Sequence, residues 1–222
     1  MTLPPRPVPT LWSRRSIVLG CASAAIVVAR GARADDGWLR RIAAARAGLK
    51  TLQARFDQER NLGLLATKVS SRGQLELVLP QQLRWELSPP DAVTYWVGPS
   101  GIAYQSSGSQ GTRDRDSAGP MGSVLQDLLT AIGGDIARLA PRYDIETIAV
   151  GDGGVRVVIR PREEAGARVM RSLDIVLDRE LTCPREVRLE ESSEDAITVR
   201  FRDVRVNQPI DAARMRPPRS AR

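Results

Sequence analysis

The 222-residue sequence contains no histidine, and this absence removes more chemistry than any motif present supplies. It excludes Ser-His-Asp and Cys-His arrangements and every His-ligated metal site. No Gly-rich phosphate loop, CxxC pair or acidic metal loop is present either. Cysteine is almost missing, with Cys21 and Cys183 the only two. Aromatics make up 4% of residues, and Lys50 and Lys68 are the only lysines. The longest apolar run, "SIVLGCASAAIVVA" from Ser16, is shorter than the roughly 20 residues of a membrane-spanning helix.

The net charge of +7 is unevenly placed. Arg6, Arg14, Arg15, Arg30 and Arg33 stand in the first 34 residues without a single acid, so everything after Ala34 carries only +2. There the arginines are interleaved with Asp and Glu, which argues for a solvated surface and against a nucleic-acid footprint. The basic opening, the apolar run and the small-x-small ending Ala32-Arg33-Ala34 together predict an export signal over residues 1–34, cleaved before Asp35. "SRRSIVL" resembles the twin-arginine signal, with the general secretion route as the alternative. Val18-Leu19-Gly20-Cys21 also approximates a lipid-attachment box, although the apolar run continues well past Cys21. Removing the leader leaves Cys183 alone. The fold must then close on hydrophobic burial without a disulfide, although its compartment is oxidising.

Cys183-Pro184 follows the turn-like Asp178-Arg179-Glu180 and reads as a strand start, not a nucleophile. "GDGG" at 151–154 reads as a hairpin turn. Glu190, Glu191, Glu194 and Asp195 flank Ser192-Ser193 as a polar strand connection does. No catalytic, metal or cofactor site is expected.

From Trp38 to Arg60 the apolar residues Leu39, Ile42, Ala43, Leu49, Leu52 and Phe56 recur near a helical period, which predicts one N-terminal helix. Short alternating runs follow at Gln74 to Leu79, Leu83 to Leu87, Ala92 to Val97 and Ile102 to Gln105. In the first two, Leu75, Leu77 and Leu79 and then Leu83, Trp85 and Leu87 point one way, while Glu76, Arg84 and Glu86 point the other. Ser106 to Gly119 reads as a loop, and Met121 to Leu139 as two short helices divided at Gly133-Gly134. Strands resume at Tyr143 to Val150, Val155 to Arg160, Arg171 to Leu177, Arg185 to Glu191 and Ala196 to Val206. The sum is an α+β, mainly β domain over residues 35–222. It is a curled antiparallel sheet of about 9–11 strands, with an N-terminal helix and a central helical pair on its concave side.

Four segments carry a resemblance: "LKTLQARFDQER" from Leu49, "RGQLELVLPQQLRWELSPPD" from Arg72, "VGPSGIAYQ" from Val97 and "ITVRFRDVRVNQPIDAARMR" from Ile197. In this order they resemble the periplasmic outer-membrane lipoprotein carrier family, LolA, over roughly Trp38 to Pro217. The resemblance implies an unclosed β-barrel with a helical lid and a hydrophobic cavity. The cavity would shield lipoprotein acyl chains between the inner and outer membranes. It also implies two partners, an inner-membrane lipoprotein-releasing transporter and an outer-membrane acceptor; a carrier with a cavity of its own has no need to pair, so a monomer is expected. Candidate cavity residues are Leu75, Leu77, Leu83, Trp85, Leu87, Val97, Ile102 and Tyr104. Candidate lid residues are Val124, Leu125, Leu128 and Leu129. Relatives often place an arginine before the proline matching Pro80 and use it to hold the lid closed; here that position is Leu79. Arg84 is the candidate latch in its place, although its parity opposite Leu83 and Trp85 points it to solvent. A carrier of another envelope lipid, a lipid-anchored acceptor of the same fold and an envelope-lipid enzyme are the competing readings.

Overall fold

The protein is described by a computed structural model that covers residues 36–63, 67–114, 119–191 and 194–218, with the backbone alone at 36, 114 and 119–125. The leader, its cleavage site and Cys21 lie outside the described residues.

Helix α1 (Asp36–Arg46) ends before Gly48, and strand β1 (Thr51–Leu62) begins where the sequence predicts continued helix. This corrects the single-helix reading of Trp38 to Arg60. Leu52 and Phe56 are four residues apart, a spacing that satisfies both a helical and a strand period. Pairing decides between the two: β1 hydrogen-bonds on one side to β2 (Thr67–Val78) and on the other to β11 (Ala196–Val206), matching Phe56 with Gly73 and with Phe201. Two ladders satisfy the strand's donors and acceptors, and Leu52, Ala54 and Phe56 are buried on one face.

The chain continues through β3 (Gln82–Leu87), β4 (Thr94–Gly98) and β5 (Gly101–Gln105). The expected loop after Gln105 contains a further strand, β6 (Gln110–Asp114). Ser106 and Ser109 turn the chain, the Ser106 amide donating to the Ser109 carbonyl over 2.7 Å. An edge strand needs only one partner, so its polar sequence carries no alternation to detect. Helix α2 (Gly119–Gly133) is followed by a 3-10 turn (Ile136–Leu139), and Gly134, at φ +92°, makes the break between them. Strands β7 (Tyr143–Ala149), β8 (Val155–Pro161), β9 (Ser172–Leu177) and β10 (Pro184–Glu190) complete the count before β11. The short helix α3 (Glu164–Ala167) has no counterpart in the sequence reading.

All eleven strands form one antiparallel sheet in the order β6-β5-β4-β3-β2-β1-β11-β10-β9-β8-β7. The two ends, β6 and β7, do not pair with one another, so the curled sheet stays unclosed. Helices cover one face, and the core divides along it. Ile42 of α1, Ile136 and Leu139 pack over β7–β10. Leu129 and Ile132 of α2 pack over β1–β4 and Val199 of β11. Leu128 and Phe201 touch both clusters. Each such aliphatic or aromatic side chain contributes about 1.5–3 kcal/mol on leaving water.

Candidate ligand-binding cavity

The two core clusters do not fill the space beneath α2. Between β3 and β4 on one side and β10 and β11 on the other lies a cavity of about 380 Å³, within the range of small-molecule pockets. Leu83, Trp85, Leu87 and Val97 form one wall, Val187, Leu189, Ile197, Val199 and Phe201 the other, and Leu128 and Ile132 the roof. Trp85 lies 4.1 Å from Phe56, ring centre to ring centre, and stands edge-on to Phe201 at 6.3 Å. Trp85 and Phe201 face the cavity, and the fully buried Phe56 supports them from the core. Phe56 fits there because Gly73 faces it: a Cβ on Gly73 would fall 2.3 Å from Phe56 Cζ.

Of the residues predicted to line a cavity, Leu83, Trp85, Leu87 and Val97 do so. Leu75 and Leu77 are fully buried in the packed core beside it, and Ile102 packs against that same cluster. Tyr104 faces the β5–β6 hairpin, its ring against Gly111 and its hydroxyl 3.2 Å from Ser109 Oγ. Of the predicted lid, Leu128 reaches the cavity and Leu129 is buried among the β1–β4 residues. The side chains of Val124 and Leu125 lie outside the described residues. The second wall was missed at residue level, although the one-sided alternation of Ile197, Val199 and Phe201 signals it. Gln58 and Arg60, also on the lining, were hidden by the helical reading of their segment.

The candidate latch requires correction. Arg84 does lie on the face opposite Leu83 and Trp85, but it is only 9% exposed. Its guanidinium sits 3.0 Å from Glu76 and 2.8 Å from Glu86, near the ring of Trp96. The C-terminal segment covers the cluster: Trp96 donates to the Arg214 carbonyl over 2.9 Å, and Arg214 reaches Glu76 at 3.2 Å. The strap is thus held by Trp96 and by Glu76 and Glu86, the two carboxylates that also pair with Arg84, on the side of the sheet away from α2. Solvent exposure failed as an expectation because a segment distant in sequence folds back over the face.

Other groups hold α2. Arg46, at the end of α1, is 4% exposed and donates from Nη2 to the Ile132 carbonyl in the last turn of α2. A cation there faces the negative end of the helix dipole. Burial lowers the Arg46 pKa to about 10, and its Nε and Nη1 have no hydrogen-bond partner among the described residues. Gly134 leaves room for it, since a Cβ would stand 2.5 Å from Arg46 Cδ. Leu79 packs by its Cδ2 against Gly133, an apolar contact at the same end of the helix. Asp127 of α2, 4% exposed, accepts hydrogen bonds from the Tyr143 hydroxyl and from Arg142. Burial first, and then the hydrogen bond to Asp127, push the Tyr143 phenol well above its usual range. Gln126 donates to the Gly98 carbonyl over 3.0 Å. Cys183 is half-buried just before β10, and burial raises its thiol pKa, which does not favour a nucleophile.

Among the described residues no group of three or more Cys, Asp or Glu side chains is placed to hold a metal ion. No described helix is long and apolar enough to cross a membrane. An unclosed antiparallel sheet with helices over an apolar cavity defines a class of binding proteins. The chain belongs to the family described as outer membrane lipoprotein carrier protein LolA, whose model matches residues 47–216. An outer-membrane lipoprotein carrier protein of Xylella fastidiosa (strain 9a5c) is 32% identical over 161 residues, covering 68% of this chain and 69% of the relative. Two crystal structures share the fold at 8% identity. A DUF1329 family protein from Desulfovibrio piger has a TM-score of 0.51, covering 83% of this chain and 98% of that one. An uncharacterized conserved protein from Thermus thermophilus has a TM-score of 0.50, covering 84% and 95%. The family is one of carrier proteins.

Proposed function

We propose that this chain is a periplasmic carrier that shields the acyl chains of lipoproteins in the α2-roofed cavity and ferries them from the inner to the outer membrane. The apolar cavity carries this reading. Burial of a methylene is worth about 0.8 kcal/mol, so a chain of about 16 carbons gains on the order of 13 kcal/mol by leaving water. Unshielded, it cannot cross an aqueous compartment. Release requires the opposite property, and a roof tied down by a few polar contacts supplies it. The leader would take the chain to the periplasm and be removed before Asp35, leaving residues 35–222 as one carrier domain. Its partners would be an inner-membrane lipoprotein-releasing transporter and an outer-membrane acceptor.

The test is transfer. Inner membranes carrying a labelled lipoprotein are incubated with the purified protein, and the soluble fraction is assayed for a complex of the two. Mass spectrometry of lipid extracted from natively purified protein identifies what the cavity holds. If no lipoprotein leaves the membrane and the extract contains no acylated molecule, the carrier reading is wrong.

A further inference from the structure

Apart from the phenol of Tyr95 on β4, the cavity walls are apolar, whereas β1 contributes an amide and a guanidinium. The inward parity of that strand runs Leu52, Ala54, Phe56, Gln58, Arg60, and the last two line the cavity. From Phe56 to Arg60 is about 13 Å along a strand, so β1 grades from a hydrocarbon surface to a cationic one. Arg60 pairs in register with Val69 on β2 and Ile197 on β11, and neither neighbour offers a carboxylate. Its partner is Glu191, at 3.1 Å from the turn after β10, with the two side chains 45% and 26% exposed. An ion pair this accessible is worth about 0–1 kcal/mol. A competing oxyanion can replace Glu191 with little loss. Gln58, two residues deeper, adds an amide donor about 7 Å farther in.

From this gradient we infer that the mouth of the cavity binds an oxyanion at the polar end of an acyl ligand, a carboxylate or a phosphate, held by Arg60 and Gln58. The inference rests on the acyl-binding reading of the cavity and goes beyond it, because the ester- and amide-linked chains of a lipoprotein carry no oxyanion of their own. A purely hydrocarbon cargo gains nothing from an inward guanidinium between Val69 and Ile197. A fatty carboxylate or a phosphodiester accepts two parallel hydrogen bonds from it while the chain runs past Trp85 toward Ile132.

Competition against a fluorescent acyl probe tests it, with palmitate, lysophosphatidylglycerol and 1-hexadecanol as competitors. Wild-type protein should bind both anions on the order of tenfold more tightly than the alcohol, with the difference shrinking as salt rises. Arg60→Met keeps the apolar stem and should equalise all three. Glu191→Gln removes the competing carboxylate and should tighten both anions, a gain that misfolding cannot produce. Preference for palmitate alone assigns the site to free fatty acids, and preference for both assigns it to oxyanions in general. If hexadecanol binds as tightly as the anions, or Arg60→Met keeps the preference, the oxyanion site is refuted while acyl binding stands. If the wild-type protein binds none of the probes, the carrier reading falls and takes this inference with it.

Discussion

The Phe56 ring occupies the space that a side chain at residue 73 would take, and from there it supports Trp85 on the cavity wall. Gly73→Ala would place a Cβ 2.1 Å from the Glu86 carbonyl and 2.3 Å from Phe56 Cζ. A loss of about 1–3 kcal/mol is expected from urea unfolding, and an unchanged midpoint would show that Phe56 moves aside freely. Tyr143 makes a second prediction, in pH. Its folded pKa is raised, chiefly by burial. Its contribution is therefore complete below the unfolded value of about 10 and is lost as pH rises beyond it. Wild-type stability should fall above pH ~10 more steeply than that of Tyr143→Phe, which has no phenol to ionise. At this scale the sequence was partly legible. Leu79 announced that the usual polar contact was missing. Arg46 did not announce itself as a substitute, because an arginine ending a helix looks like any solvated C-terminal charge. Only tertiary packing against Gly134 buries it.

Between α1 and α2, the bond from Arg46 to the Ile132 carbonyl joins two helices at a point where the guanidinium is buried without an ion pair among the described residues. Arg46→Met removes that bond and also relieves the desolvated charge, so amides at 132–135 should exchange faster while the global unfolding free energy moves by less than ~1 kcal/mol. A large global loss with unchanged local exchange would count against this account. The C-terminal strap behaves differently. Asn207 accepts from the Lys50 amide over 2.8 Å and donates to the Gly48 carbonyl over 3.1 Å, closing the turn between α1 and β1. Beyond it, Arg214 and Met215 cover the outer face. Deleting residues 211–222 should lower thermal stability by a few degrees and leave acyl-probe affinity unchanged, because the strap lies on the far side of the sheet. Most strands were legible from their alternation. β1 was not, since Leu52 and Phe56 fit two periods at once, and β6 was not, since an edge strand buries too little to leave a pattern.

For the molecule as a whole, a one-sided sheet around a hydrophobic interior could be read from the sequence, but the difference between core and cavity could not. Leu77 and Leu83 have the same sequence signature, and only packing puts the first in solid core and the second on the cavity wall. The distinction is measurable. Ile197→Trp should fill the space and reduce acyl-probe affinity by about tenfold or more with the circular dichroism spectrum unchanged; full binding by a folded variant would place the ligand elsewhere. Finally, the seam left open between β6 and β7 gives the sheet the mechanics of a cuff, with β1 along its spine and the two cavity walls on either flank. Neighbouring strands tolerate twists of roughly −10 to −35°, so a few degrees at each of ten strand pairings widens the bore without breaking a ladder. Accommodation of cargoes of different girth would then be an elastic property of the whole sheet, not a rearrangement of any one side chain.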